Sequence, residues 1–108
     1  MVSIPGKTAN VRDIVYYYLQ SDNYKRLSAK SQREYAAQLE KVLDTVVEGK
    51  QLGSYRARSL KARHTNLAYQ QWLQTGAHTA NYRKATLSTA WRYCMRLDVM
   101  ENDPVRLI

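Results

Sequence analysis

Two short stretches of the sequence collect side chains that bind anions. The first is Lys25-Arg26-Leu27-Ser28-Ala29-Lys30-Ser31-Gln32-Arg33, and the second is His78-Thr79-Ala80-Asn81-Tyr82-Arg83-Lys84. Lysine and arginine neutralise phosphate, while hydroxyl, amide and imidazole groups hydrogen-bond phosphate oxygens and base edges. Each stretch stands where a helix is expected to start, and a helix start adds free N–H groups and a positive dipole end. The candidate contacts are Lys25, Arg26, Ser28, Lys30, Ser31 and Arg33 in the first stretch, and His78, Thr79, Asn81, Tyr82, Arg83 and Lys84 in the second. Ser28 and Thr79 also read as simple caps. The four bases of the first stretch have a plainer role as solvated charge. Tyr82 is divided evenly between touching a partner and packing on a neighbouring helix.

Other chemistry is poorly supplied. His64 and His78 lie 14 positions apart with no Cys or acidic companion, and a closed zinc site needs four ligands. No metal, cofactor or catalytic residue is expected. Cys94 is the only cysteine; it falls on an apolar helix face and reads as a small core residue, and no internal disulfide is possible. No P-loop or G-x-G-x-x-G occurs. Of nine tyrosines, Tyr18, Tyr35 and Tyr69 fall on or beside apolar faces and read as core with the hydroxyl at the rim. Tyr16, Tyr17, Tyr24, Tyr55, Tyr82 and Tyr93 are less constrained. Trp72 and Trp91 read as core.

The charge is unevenly placed. Lys+Arg number 17 and Asp+Glu 9, a net +8 over 108 residues. Between Gly49 and Leu97 there are nine bases and no acid, so the remaining eight bases and nine acids leave the rest of the chain at −1. A smaller acid-free window lies between Asp22 and Glu34. Charge of one sign without counter-ions repels itself, which favours an anionic partner, with nucleic acid first. A solubilising surface is the plainer alternative. No apolar run approaches the ~20 residues of a membrane span, and no signal-peptide core is present. The expected location is cytoplasmic, in a bacterial or phage-infected cell.

Four helices are expected to position these residues. Val11, Ile14, Val15, Tyr18 and Leu19 make one helical face, with Asn10 and Asp13 as an N-cap pair. Tyr35, Ala36, Leu39, Val42, Leu43, Val46 and Val47 make the second, capped by Ser28 or by Ser31 with Glu34, and stopped by Gly49. A basic loop spans Lys50 to Arg58. In the third, Leu60, Leu67, Ala68 and Trp72 share a face, with Tyr69 and Leu73 at its margins, and Gly76 ends it. The fourth starts around His78 to Ala80, runs to about Leu97, and buries Leu87, Ala90, Trp91, Cys94 and Met95. Asn102-Asp103-Pro104 ends the regular structure. No strand pair is expected. The fold class is all-α, a compact bundle of four main helices.

The order of these residues resembles the N-terminal core-binding domain of tyrosine site-specific recombinases, in particular phage-type integrases. Tyr18-Leu19 closes the first helix. Ser28, Ser31, Tyr35, Leu39 and Leu43 follow, then Tyr69, Trp72 and Gly76, then Thr79-Ala80-Asn81 with Leu87-Ser88, and finally Asp98 to Pro104. The chain departs from the pattern at Asp98, where glycine is usual, at Asp103, where asparagine is usual, and near Lys61, where a threonine often starts the third helix. The resemblance implies a SAM-like bundle that clamps the core recombination site of duplex DNA. Its second and fourth helices would face adjacent major-groove surfaces, through Lys30, Ser31 and Arg33, and through His78, Thr79, Asn81, Tyr82 and Lys84. It implies other integrase protomers as partners on DNA, an isolated domain that is monomeric, and a strand-cleaving tyrosine in a separate C-terminal domain. The expected organisation is an N-terminal extension over 1–9, the DNA-binding domain over 10–104 and a linker from 105 to 108. The alternatives are a helical protein-interaction module and a non-integrase DNA- or RNA-binding regulator.

Overall fold

A computed structural model describes residues 5–97, 100 and 102–106. Five helices form: α1 (Val11–Leu19), α2 (Asp22–Lys25), α3 (Ala29–Asp44), α4 (Ala62–Leu73) and α5 (Ala77–Arg96). Four of them match the expected helices. The single turn α2 is too short to show apolar periodicity; Ser21 caps it by accepting the Tyr24 N–H at 3.1 Å. α1 starts at the expected pair, with Asn10 accepting the Asp13 N–H at 2.9 Å and Asp13 accepting the Asn10 N–H at 3.0 Å. For α3 the cap is Ser28, whose Oγ accepts the Ser31 N–H at 3.1 Å.

The end of α3 corrects the expected helix. It stops at Asp44, and Val46–Val47 pairs antiparallel with Lys50–Gln51 as β1 and β2. Thr45-Val46-Val47 is a β-branched run that loses rotamer freedom in a helix. Glu48 and Gly49 both take positive φ, 52° and 81°, the two-residue turn that suits a hairpin. Gly49 is therefore left-handed, but inside a hairpin rather than at a helix end. The hairpin's carbonyls are bonded by side chains from elsewhere: Gln71 donates to Val46 O and Tyr55 to Val47 O. Trp72 Nε1 donates to Thr45 Oγ1 at 2.9 Å.

The expected basic loop is part of the core. It forms two 3-10 turns, Leu52–Ser54 and Ala57–Ser59. Leu52, Gly53, Tyr55, Ala57 and Leu60 are buried, and only the charged side chains face out. Backbone bonds join this loop to the chain before α1: Val11 N–H to Tyr55 O and Ala57 N–H to Ala9 O, each at 2.9 Å. In α4 the buried side chains are His64, Thr65, Ala68 and Trp72, while Leu67 is 45% exposed, contrary to expectation.

α5 crosses the middle of the molecule and touches α1, α3 and α4. Ala80, Leu87, Ala90, Trp91 and Cys94 are buried as expected of its inner face, and Met95 is half-buried. The chain after α5 folds back. Trp91 Nε1 donates to Asn102 O at 2.7 Å, and Asn102 Nδ2 donates to Leu60 O at 3.3 Å. Thr65 Oγ1 donates to Pro104 O, and Met100 and Val105 are in the core. Ala9 and Val105 thus belong to the packed unit, not to an extension and a linker; 98, 107 and 108 lie outside the described residues. Replacing Trp91 with Phe strands the Asn102 carbonyl. The expected cost is about 1–3 kcal/mol, read as a lower urea midpoint.

Candidate nucleic-acid interface

The first basic stretch is held by its own backbone. Gln32 Nε2 donates to Leu27 O at 2.8 Å and to Lys25 O at 3.1 Å, and the Tyr24 hydroxyl donates to Gln32 O. These bonds fix the turn from α2 into α3. They leave Lys25, Arg26, Ser28, Lys30 and Arg33 exposed and Ser31 half-buried. Tyr24 is itself buried, one of the tyrosines whose place the sequence left open.

At the start of α5 the candidate side chains are largely engaged within the molecule. Gly76, at φ 131°, takes the cap position, so Thr79 sits inside the first turn and caps nothing. Asn81 Oδ1 accepts the Tyr69 hydroxyl at 2.7 Å. Tyr82 donates to Glu34 Oε2 at 3.0 Å, with its ring edge-on to Tyr35 and near His78. Burial raises the Tyr82 pKa, and so do its hydrogen bond to Glu34 and that carboxylate's charge. Arg83 Nε donates to Gln38 Oε1 at 3.1 Å. Lys84 Nζ lies 5.9 Å from the Tyr69 ring centroid. His78 is exposed.

These bonds bring the two stretches together. Lys30 lies one helical turn before Glu34, and His78 one turn before Tyr82. Both helix starts therefore lie about one turn from the Tyr82–Glu34 contact, which also places a carboxylate between two basic stretches.

The outer face of α5 carries a site that attention to helix starts did not find. Asn81, Lys84, Ala85, Ser88, Thr89 and Arg92 line a shallow groove of about 430 Å³. A second hollow continues it past Thr89 and Arg92 to Met95, Arg96 and Asp103. From residue 81 to 96 the stripe runs ~22 Å at 1.5 Å per residue. Ala85 and Ser88 keep its middle low, and the bases stand at its ends. The signal was present in the sequence as polar residues at positions 81, 84, 85, 88, 92 and 96 of an acid-free helix.

A third group of bases surrounds the hairpin and the start of α4. Arg63 Nε pairs with Glu48 Oε2 at 3.2 Å, with both side chains exposed; such a pair adds little stability. Lys50 Nζ sits 4.5 Å from the Tyr55 ring centroid, and that ring lies 4.7 Å from the imidazole of His64. His64 Nδ1 accepts the Lys61 N–H at 3.0 Å, so the side chain itself starts α4 where a threonine would be usual. Its pKa is lowered by burial first, then by Arg63, Lys61 and Lys50, with Glu48 opposing.

Burial pushes the Cys94 thiol up to about 12, which leaves it unreactive. Among the described residues no group of three or more His, Cys, Asp or Glu side chains could hold a metal, and no helix is long and apolar enough to cross a membrane. Comparison with known protein families, with curated proteins and with solved structures finds no match.

The lowered His64 pKa has a definite pH consequence. The unfolded chain takes up a proton near pH 6.5, and the folded chain resists it. The stability contributed by neutral His64 is complete above that pH and falls as pH drops through it. His64→Asn keeps an acceptor near the Nδ1 position and cannot titrate. The urea midpoints of wild type and variant should differ most near pH 8 and converge towards pH 5.5.

Proposed function

We propose that this chain is a double-stranded-DNA-binding domain of the kind that grips the core site in tyrosine recombinases. The observation that carries this reading is the outer face of α5. It is a ~22 Å polar stripe with Lys84, Arg92 and Arg96 on it and no carboxylate before Asp103. An α-helix fits the major groove. Lysine and arginine at both ends of the stripe would fix phosphates, while Asn81, Ser88 and Thr89 face base edges. The exposed Lys30 and Arg33 on neighbouring α3 would extend the phosphate contacts. The order of residues shared with the core-binding domain supports the assignment to recombinases. In this reading the chain supplies grip and orientation, and bond breaking belongs to a separate catalytic domain.

A protein-interaction role has less behind it. The large apolar side chains that are most exposed, Tyr16, Val46, Leu67 and Leu97, lie on different elements. The apolar groove between α1 and α3 encloses only about 200 Å³.

Fluorescence anisotropy on duplex DNA tests the proposal. Affinity should fall linearly with the logarithm of salt concentration, and each neutralised phosphate contact should remove ~0.9 from the slope. Lys84→Gln and Arg92→Gln should each do so, whereas Lys7→Gln and Lys41→Gln should leave the slope unchanged. Equal effects from all four would reduce the interaction to diffuse attraction, and absence of duplex binding at low salt would refute the reading. Glu34→Gln removes a repelling charge between the basic stretches, so it should tighten binding severalfold at low salt and less at high salt.

A further inference from the structure

The bases around the hairpin are not explained by a grip through α3 and α5. Lys50 lies on β2, Lys61 just before α4 and Arg63 within its first turn, and all three act electrostatically on one buried imidazole. Glu48 is the carboxylate that answers them, and it is bonded to Arg63. Lys50 and Lys61 have no carboxylate partner among the described residues. Lys50 is nonetheless placed, because its ammonium rests on the face of Tyr55, which is buried and bonded to Val47 O.

His64 adds a directional donor. Its Nδ1 accepts a hydrogen bond, so the neutral ring carries its proton on Nε2. Among the described residues Nε2 has no partner, yet no side-chain nitrogen or oxygen sealed from solvent lacks one. The edge of an otherwise buried ring thus opens at the surface, on a residue ringed by three cations. A neutral N–H donor among fixed ammonium groups suits an anionic oxygen, and an anion there would offset their mutual repulsion.

We propose that Lys50, Lys61 and the Nε2 edge of His64 form a second phosphate-binding point, which takes a backbone phosphate of the same duplex outside the part held by α5. This inference rests on the DNA-binding reading. The hairpin follows the C-terminal end of α3, and Lys30 lies at its N-terminal end. The two therefore stand ~24 Å apart along a 16-residue helix, a distance of about seven base pairs. The footprint would accordingly be longer than the α5 face alone requires.

The test uses the whole chain and a duplex of about three helical turns, ~30 base pairs. Lys50→Gln/Lys61→Gln removes two contacts, so the salt slope should fall by about 1.8. The advantage of wild type over this variant should then shrink about tenfold between ~50 and ~200 mM salt. The His64 Nε2 resonance should move when duplex is added to wild type, and move much less in the double variant. An unchanged slope and a stationary His64 signal, with Lys84→Gln still lowering the slope, would overturn the second point and leave the α5 grip standing. If wild type binds no duplex at all, both fail together.

Discussion

The indole of Trp91 holds this domain in one piece. It is wholly buried near the end of α5 and donates its N–H to the carbonyl of Asn102. The amide of Asn102 continues to Leu60 O in the loop before α4. One side chain therefore ties the longest helix, the segment that follows it and the loop that floors the core. A buried indole without an acceptor is costly, so the returning segment is needed by α5 as much as it is held by it. α5 in turn touches α1, α3 and α4. Its inner face is consumed by this packing, with Ala80 and Ala90 letting neighbouring helices come close. Its outer face is left free of core duties, and the basic and small polar side chains stand there.

Much of this was legible from residue spacing. The inner stripe of α1, the caps Asn10 and Ser28, and the buried Trp72, Trp91 and Cys94 follow from local rules that tertiary structure did not override. What was not legible depended on contacts distant in sequence. The hairpin after α3 uses Glu48-Gly49, which is not a strong turn signal, and is held by Gln71 and Tyr55, which lie on later elements. Leu67 looked apolar enough for the core, but the register of α4 is set by His64, Thr65, Ala68 and Trp72. His64 is the least readable residue of all. As a polar residue near a helix start it suggests exposure, and it is buried because its ring completes a cap and packs on Tyr55.

The electrostatics follow from the same packing. A stretch of nine bases without an acid would strain a small fold if its charges converged with nothing to answer them. Two carboxylates from outside that stretch are brought to its edges by tertiary contacts. Glu34 meets Tyr82 between the two helix starts, and Glu48 meets Arg63 beside the hairpin. Each relieves part of the repulsion at one cluster. The outer face of α5 receives no such relief until Asp103, so its field extends into solvent with less opposition.

That contrast bears on which side chains would read a partner. Near the start of α5, Asn81, Tyr82 and Arg83 bond Tyr69, Glu34 and Gln38. Each would have to give up an existing hydrogen bond to contact a base, at roughly 0.5–1.5 kcal/mol apiece. Ser88, Thr89 and Arg92 lie further along the same helix with no competing contact to another helix. Thr89 only returns its hydroxyl to Ala85 O within α5. The start of α5 is therefore better suited to fixing the angle at which α5 leaves α3 and α4, and the middle of the helix to meeting whatever lies against it. In this fold the residues that look most like contacts in the sequence act as scaffold, and the residues one to three turns later inherit the free surface.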